Sequence, residues 1–336
     1  MNKITVNLAL FVLTLVVFPY QLFSQESLKI AANPITPQEN QTPYGLKDFS
    51  IYELNAKALW DFVSQKGQTE LNLDLHFSEE HHWELVLQPS KVFSENSQYN
   101  LENGELAPLK HKIKTYKGYL KNQSHIPVRF TISENFVHGF IFDKKGHSFE
   151  MLEEAAMLTK NTQVLVYEEN QVKNESKCGH AASIGTPANF HLENLKPQAP
   201  ANLTKTASKC VDLAITLDWQ GYQNVANSNT TTFQNTLATM VNIVNGYHLQ
   251  FDVEYQVAFT HYIYNSPNPW TDAPGDEDIL TQNFAAWAFP NLQPTNYNCA
   301  MLLTGTDMNG IGYAFFGHMC PGDNLRYSEV DYQYSQ

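Results

Sequence analysis

Asn298–Cys320 reads NCAMLLTGTDMNGIGYAFFGHMC, and the fold of the chain turns on how this stretch is read. Ala300–Met301–Leu302–Leu303 is apolar without alternation, the pattern of a strand covered on both faces of a mixed sheet. Thr304–Gly305 ends that run, and Asp307, Asn309 and Gly310 supply turn chemistry. Gly312–Tyr313–Ala314–Phe315–Phe316–Gly317 then reads as an aromatic-rich strand with glycine at either end. Taken alone, the two runs would make a hairpin at the rim of a sheet. The second run suits an edge strand, whose backbone N–H and C=O groups stay open to pairing.

Working upstream, the hydrophobic period alternates between two values. Val211–Leu217 is β-branched and apolar, a strand. Asn229–Thr230 can cap a helix of about five turns, in which Phe233, Leu237, Met240, Val241, Val244 and Tyr247 recur at helical spacing. Val253, Tyr255, Val257 and Phe259 alternate as a strand running on to Tyr264. After a loop at Pro267–Trp270, Asp276, Glu277 and Asp278 open a second helix, their charge complementing its N-terminal dipole. Ile279, Leu280, Phe284 and Trp287 form its expected buried side. Strand, helix, strand, helix, strand is an α/β order.

The first half has a different period. Phe49–Leu54 reads as a strand and Asn55–Val63 as a short helix. Leu71, Leu73, Leu75 and Phe77 alternate with polar residues, and Trp83, Leu85 and Leu87 do the same. Tyr116–Leu120, Val128–Ile132, Phe136–Phe142 and Ser148–Leu152 follow, separated by turn residues. An antiparallel sandwich or an open barrel is expected, with the role of a binding module, chaperone segment or propeptide. His81–His82 does not read as a metal site, because neighbours on a strand point to opposite faces. Between the halves, residues 177–208 are polar, proline-containing and aperiodic, a linker. In it, Cys178 stands between Lys177 and the pair Gly179–His180, neighbours that favour a thiolate able to ligate metal. The competing reading of Cys178 is a half-cystine.

Length, charge and the N-terminus set outer bounds. A chain of 336 residues has room for two domains, and its charge of −13, without a basic stripe, excludes a nucleic-acid partner. Lys3, the apolar run Leu8–Phe18, Pro19 and Ser24 read as a signal peptide over residues 1–24, too short for a membrane span. A secreted protein is expected, its four cysteines in a compartment that permits disulfides.

In order, VDLAITLDWQGYQ, VNIVNGYHLQFDVEYQV, FAAWAFPN, NCAMLLTG and GIGYAFFGHMC resemble the N-terminal part of a metzincin zinc protease catalytic domain of the adamalysin/reprolysin type. The upstream segment running from Thr115 to Glu154 is similar to the propeptide of the same family. The resemblance implies an α+β chain in two domains. Residues 25–176 would be a β-rich propeptide, and residues 209–336 an incomplete α/β domain with a mixed sheet. It also implies zinc as cofactor, protein or peptide substrates, and hydrolysis by a zinc-bound water held by H-E-x-x-H-x-x-G-x-x-H. None of the twelve histidines here is followed by glutamate. The family's zinc helix would begin where this sequence ends, so either the reading frame is truncated or the chain is a shortened relative. Inactivity of this polypeptide is expected, and a non-catalytic secreted binding protein is the alternative.

Two elements carry over from the resemblance. Cys178 matches the inhibitory propeptide cysteine that would fill the zinc's fourth position. Ile311, Gly312, Tyr313, Ala314, Phe315 and Phe316 match the edge strand along which substrate lies extended. Cys210 and Cys299 could bridge within the domain, while Cys320 would need a partner beyond residue 336.

Overall fold

The computed structural model describes residues 27–35, 46–66, 69–109, 112–151, 163–168, 171, 209–224, 226–248, 251–292, 297–306, 312–314 and 327–331. In chain order the first half holds β1 (Ser27–Ala31), β2 (Asn33–Ile35), β3 (Ser50–Glu53), helix α1 (Ala56–Lys66), β4 (Leu71–His76), β5 (His82–Ser90) and β6 (Phe93–Asn100). It continues with β7 (Leu106–Pro108), β8 (Lys114–Leu120), β9 (Gln123–Ser133), β10 (Phe136–Ile141), β11 (His147–Met151) and β12 (Gln163–Glu168). The second half holds β13 (Lys209–Leu217), α2 (Trp219–Asn224), α3 (Thr230–His248), β14 (Val253–Tyr262) and α4 (Glu277–Asn291). It ends in β15 (Cys299–Thr304), β16 (Gly312–Ala314) and β17 (Tyr327–Asp331).

The first sheet has the order β1-β4-β5-β8-β9-β10-β11-β12-β3-β2. Its two end strands are consecutive in the chain, separated only by Ala32, so the sheet curls until its ends meet. Alternation explains the interior. Leu71, Leu73 and Leu75 of β4 point inward with Leu85, Phe130, Ile132 and Phe149, while the residues between them face out. Leu59 and Val63 of α1 join that core, and Asn55 caps the helix by accepting from the Ala58 N–H at 2.9 Å. All neighbours in this sheet pair antiparallel except β1 and β4, which run parallel.

The second sheet has the order β16-β17-β15-β13-β14-β6-β7. β13 lies between β14 and β15, parallel to both, as the unbroken apolar runs predict. On one face Leu213, Ile215 and Val257 pack with Phe233, Leu237 and Val241 of α3. On the other, Ala214, Phe259, Ala300 and Leu302 pack with Leu280, Phe284 and Ala288 of α4. α3 is also seated against β8 and β9 of the first sheet, so it is a layer between the two sheets.

Three expectations need correction. The boundary near residue 177 does not divide the sheets, because β6 and β7 leave the first sheet between its neighbours β5 and β8, β6 pairing onto β14 and β7 onto β6. No periodic signal marks FSENSQYN as a strand, and its pairing is decided by what lies opposite. β15 and β16 are not hairpin partners, since β17 lies between them, parallel to the first and antiparallel to the second. β17 therefore fills that place in the sheet. Ile279 and Val244, placed on buried helix faces, are 48% and 41% exposed, because Thr281 and Asn242 occupy the covered positions instead. The first-half sheet, read as a sandwich or an open barrel, is one ten-stranded sheet whose end strands β1 and β2 adjoin through Ala32 without pairing with each other.

Candidate functional site

The sheet ends at β16, which pairs with β17 through Gly312↔Val330, Tyr313↔Glu329 and Ala314↔Ser328. Among the described residues no strand lies on its other side. Ile311, Phe315 and Phe316 lie outside the described residues, as do Cys178 and Cys320. Upstream, the end of β15 is fixed to the end of β13 by a single buried carboxylate.

Asp218 follows β13 directly and is the N-cap of α2. One oxygen, Oδ1, accepts from the Gly221 N–H at 2.6 Å and the Gly305 N–H at 3.0 Å. The other, Oδ2, accepts from the Thr304 hydroxyl at 2.5 Å and the Thr306 hydroxyl at 3.5 Å. The side chain is fully buried, and burial pushes its carboxyl above the usual range while the bonds from Thr304, Gly305 and Gly221 pull the other way. Gly221 and Gly305 meet backbone to backbone. A Cβ on Gly305 would lie 2.4 Å from the Gly221 nitrogen, so only glycine permits the approach. The ends of β13 and β15 are thereby locked together where the chain departs toward β16.

A second polar node stands beside it. The Asn268 side chain accepts from the Trp219 N–H at 2.9 Å and donates to Gln220 and Asp272 at 2.8 Å each. It holds the loop after β14 against the start of α2. Trp270 of that loop meets Phe284 edge-on and Trp287 at a tilt, with His261 against Trp287 and depressed by burial to about 4. Sequence reading passed over this polar frame. The signal for Asp218 was available, an acid at the junction of a strand and a helix, whereas Asn268 carried none.

The described residues do not fit a zinc centre. Among them no three His, Cys, Asp or Glu side chains converge as a metal would require. His81, in the bend before β5, meets the Tyr52 hydroxyl at 2.8 Å, and His82, the first residue of β5, meets Asp74 at 2.8 Å. The suggested bridge between Cys210 and Cys299 is corrected by the strand register. Cys299 lies opposite Leu213, three residues along β13 from Cys210, an offset of about 10 Å that no disulfide spans. Cys210 is an exposed free thiol, raised by burial of its base and by Asp212 and Glu254.

Comparison with known proteins bears on the second half. Residues 209–326 match the family model described as reprolysin (M12B) family zinc metalloprotease. No curated protein is similar enough to match. The match begins at β13 and takes in the Asp218 frame, α3, α4 and β16. Residues 209–326 are therefore similar to the reprolysin type of zinc metalloprotease domain.

Proposed function

We propose that the chain is the precursor form of a secreted zinc metalloendopeptidase, with residues 1–24 as signal peptide, 25–176 as propeptide and 177–208 as a linker carrying the inhibitory Cys178. The observation that carries this reading is the position of β16 at the end of a mixed sheet within the matched segment. An extended peptide pairing with Ile311–Phe316 would add a strand, its backbone supplying affinity and its alternate side chains specificity. Gly312 and Ala314 keep that face shallow. The described residues are assigned substrate alignment only, and no hydrolytic step is drawn through them. Among them no helix is long and apolar enough to cross a membrane.

Two measurements test the reading. Translation of the coding region past the codon for Gln336 should reveal H-E-x-x-H-x-x-G-x-x-H within a few dozen codons, and its absence in every frame sinks the peptidase. The 336-residue chain, incubated with zinc and quenched fluorescent peptides, should release no fluorescence while extended peptides slow amide exchange at Gly312–Ala314. Slowed exchange together with absence of the downstream motif would instead favour a non-catalytic secreted binding protein that uses the same edge.

A further inference from the structure

Among the described residues the end strands of the first sheet, β1 and β2, each have a neighbour on one side only. Residues 27–35 nonetheless tie the two ends together as a strap. Ala31 lies opposite His76 of β4, the Ala32 N–H donates to the His76 carbonyl at 3.0 Å, and Pro34 lies opposite Tyr52 of β3. The strap itself is lightly held. Leu28 and Ile30 are only partly buried against the core, and the pairing of β2 with β3 spans three residues. Beneath the strap, side chains cross the seam from one end of the sheet to the other.

That crossing is built on His81, in the turn between β4 and β5. Its carbonyl accepts from the Phe77 N–H at 2.9 Å and the Ser78 N–H at 3.2 Å, and its own N–H donates to the Ser78 hydroxyl at 3.0 Å. With the backbone so fixed, Nδ1 meets the hydroxyl of buried Tyr52 at 2.8 Å and joins the turn to β3. The ring stacks on Trp83 with centres 5.7 Å apart and faces His147 of β11 at 6.1 Å. His147 in turn meets Asp143 at 2.7 Å and Glu168 of β12 at 3.8 Å, while Lys145 meets Glu168 at 2.6 Å. On the outer face Asp74 meets His82 at 2.8 Å and Lys29 of the strap at 3.7 Å, and His76 stacks on His82 with centres 4.7 Å apart. The titratable and charged groups facing His81 are thus Glu80 of its own turn, Tyr52, Lys145, His147 and Glu168. Burial pushes its imidazole below the ordinary histidine range, His147 and Lys145 adding to the effect and Glu80 and Glu168 opposing it.

We infer that this cluster is an acid-sensitive latch on the seam of the first sheet, and that a proton on His81 frees the strap from β4 and β3 while the other strands stay paired. A histidine held below its unfolded value stabilises the closed form above that value and withdraws its contribution as pH falls. Protonation turns Nδ1 from an acceptor into a donor against the Tyr52 hydroxyl and leaves a half-buried cation beside His147 and Lys145. Outside, His76 and His82 set like charges against each other when both are protonated, next to Lys29 of the strap. The strap opens first because it has few buried groups, whereas every residue of β10 and most of β9 are buried. Opening bares the edges of β4 and β3, whose backbone groups can then take another strand. The inference does not depend on whether the chain hydrolyses peptides.

The test is amide hydrogen exchange of the full chain at pH 7.5 and pH 5.5, each corrected for the intrinsic exchange rate. At pH 5.5 the amides of Leu28–Ala32 should approach the exchange of an open chain while those of β9 and β10 stay protected. Loss of protection in the strap, β9 and β10 together would be unfolding of the sheet, and an unchanged strap would mean that no latch exists; either result overturns the inference. His81→Gln keeps a polar group toward Tyr52 but takes no proton. Between the two pH values its strap should lose about tenfold less protection than that of the native chain. An equal loss in the two proteins overturns the assignment to His81. Should the variant fail to fold, NMR titration of the native imidazole decides: the His81 midpoint must lie below about 6.5 and coincide with the loss of strap protection, and a midpoint at or above that value overturns the inference.

Discussion

His138 sits on the same face of β10 as its cross-strand partner Thr131 on β9, whose hydroxyl oxygen faces the Asn242 amide at 3.4 Å. It is 6% exposed, and burial depresses its imidazole to about 3. A histidine whose folded value lies below its unfolded value, about 6.5, stabilises fully above that unfolded value and loses the contribution as pH falls. Between pH 7 and pH 5 the native chain should lose about 2 kcal/mol through this one group. Urea unfolding of the native chain and of His138→Gln at both pH values measures it, and an identical decline in the two would show that His138 is not held neutral. Nothing along the chain warns of it, since Val137 and Gly139 on either side carry no mark that the histidine between them is covered. The same holds for Asn100, Asn242 and Asn245: their polarity suggests solvent, while Asn100 and Asn245 bond the backbone of β14 and Asn242 donates to the Phe130 and Tyr116 carbonyls. Asp218 was the legible case, because an acid after an apolar run is an N-cap by chemistry alone.

Among the elements, α3 shows how far a period can be read. Phe233, Leu237 and Val241 were visible as one stripe and do meet the second sheet. Away from that stripe Asn242 is buried against the first sheet, donating to the Phe130 and Tyr116 carbonyls, and Asn245 is buried against the Tyr255 backbone of β14. A helix between two sheets has two covered faces, and hydrophobicity marks the one that needs no hydrogen bonds. Gly246 belongs to the second face. A Cβ there would lie 2.3 Å from the Phe142 ring, which is itself held by Phe140 and Tyr247. Alanine normally stabilises a helix interior by about 1 kcal/mol over glycine. Here Gly246→Ala should instead destabilise by roughly 1–3 kcal/mol through overpacking, read as a lowered urea midpoint with an unchanged slope. A rise in the midpoint would mean that the ring yields freely. β6 and β17 lie beyond such reasoning. Neither has a pattern that names its neighbour, and each is placed by the strand it completes.

For the whole molecule, the consequence of the shared sheet is cooperativity. β6 and β7 belong by sequence to one half and by hydrogen bonding to the other, so neither half unfolds without leaving polar groups of the other unmade. Each buried backbone group left without a partner costs about 1–3 kcal/mol. Scanning calorimetry of the full chain should therefore show a single transition, and two well-separated peaks would show independent halves. What the sequence settled alone was local: strand and helix periods, helix caps, and the α/β order that aligns with the reprolysin match over residues 209–326. These follow from spacing along the chain, where each residue's face is set by its near neighbours. Tertiary structure decided which sheet β6 joined, what covered α3, and why β17 lies between β15 and β16. Hydrophobic spacing records that a face is covered but not by what, and a bond between Asn100 and Tyr262, 162 residues apart, leaves no trace in either residue's surroundings along the chain.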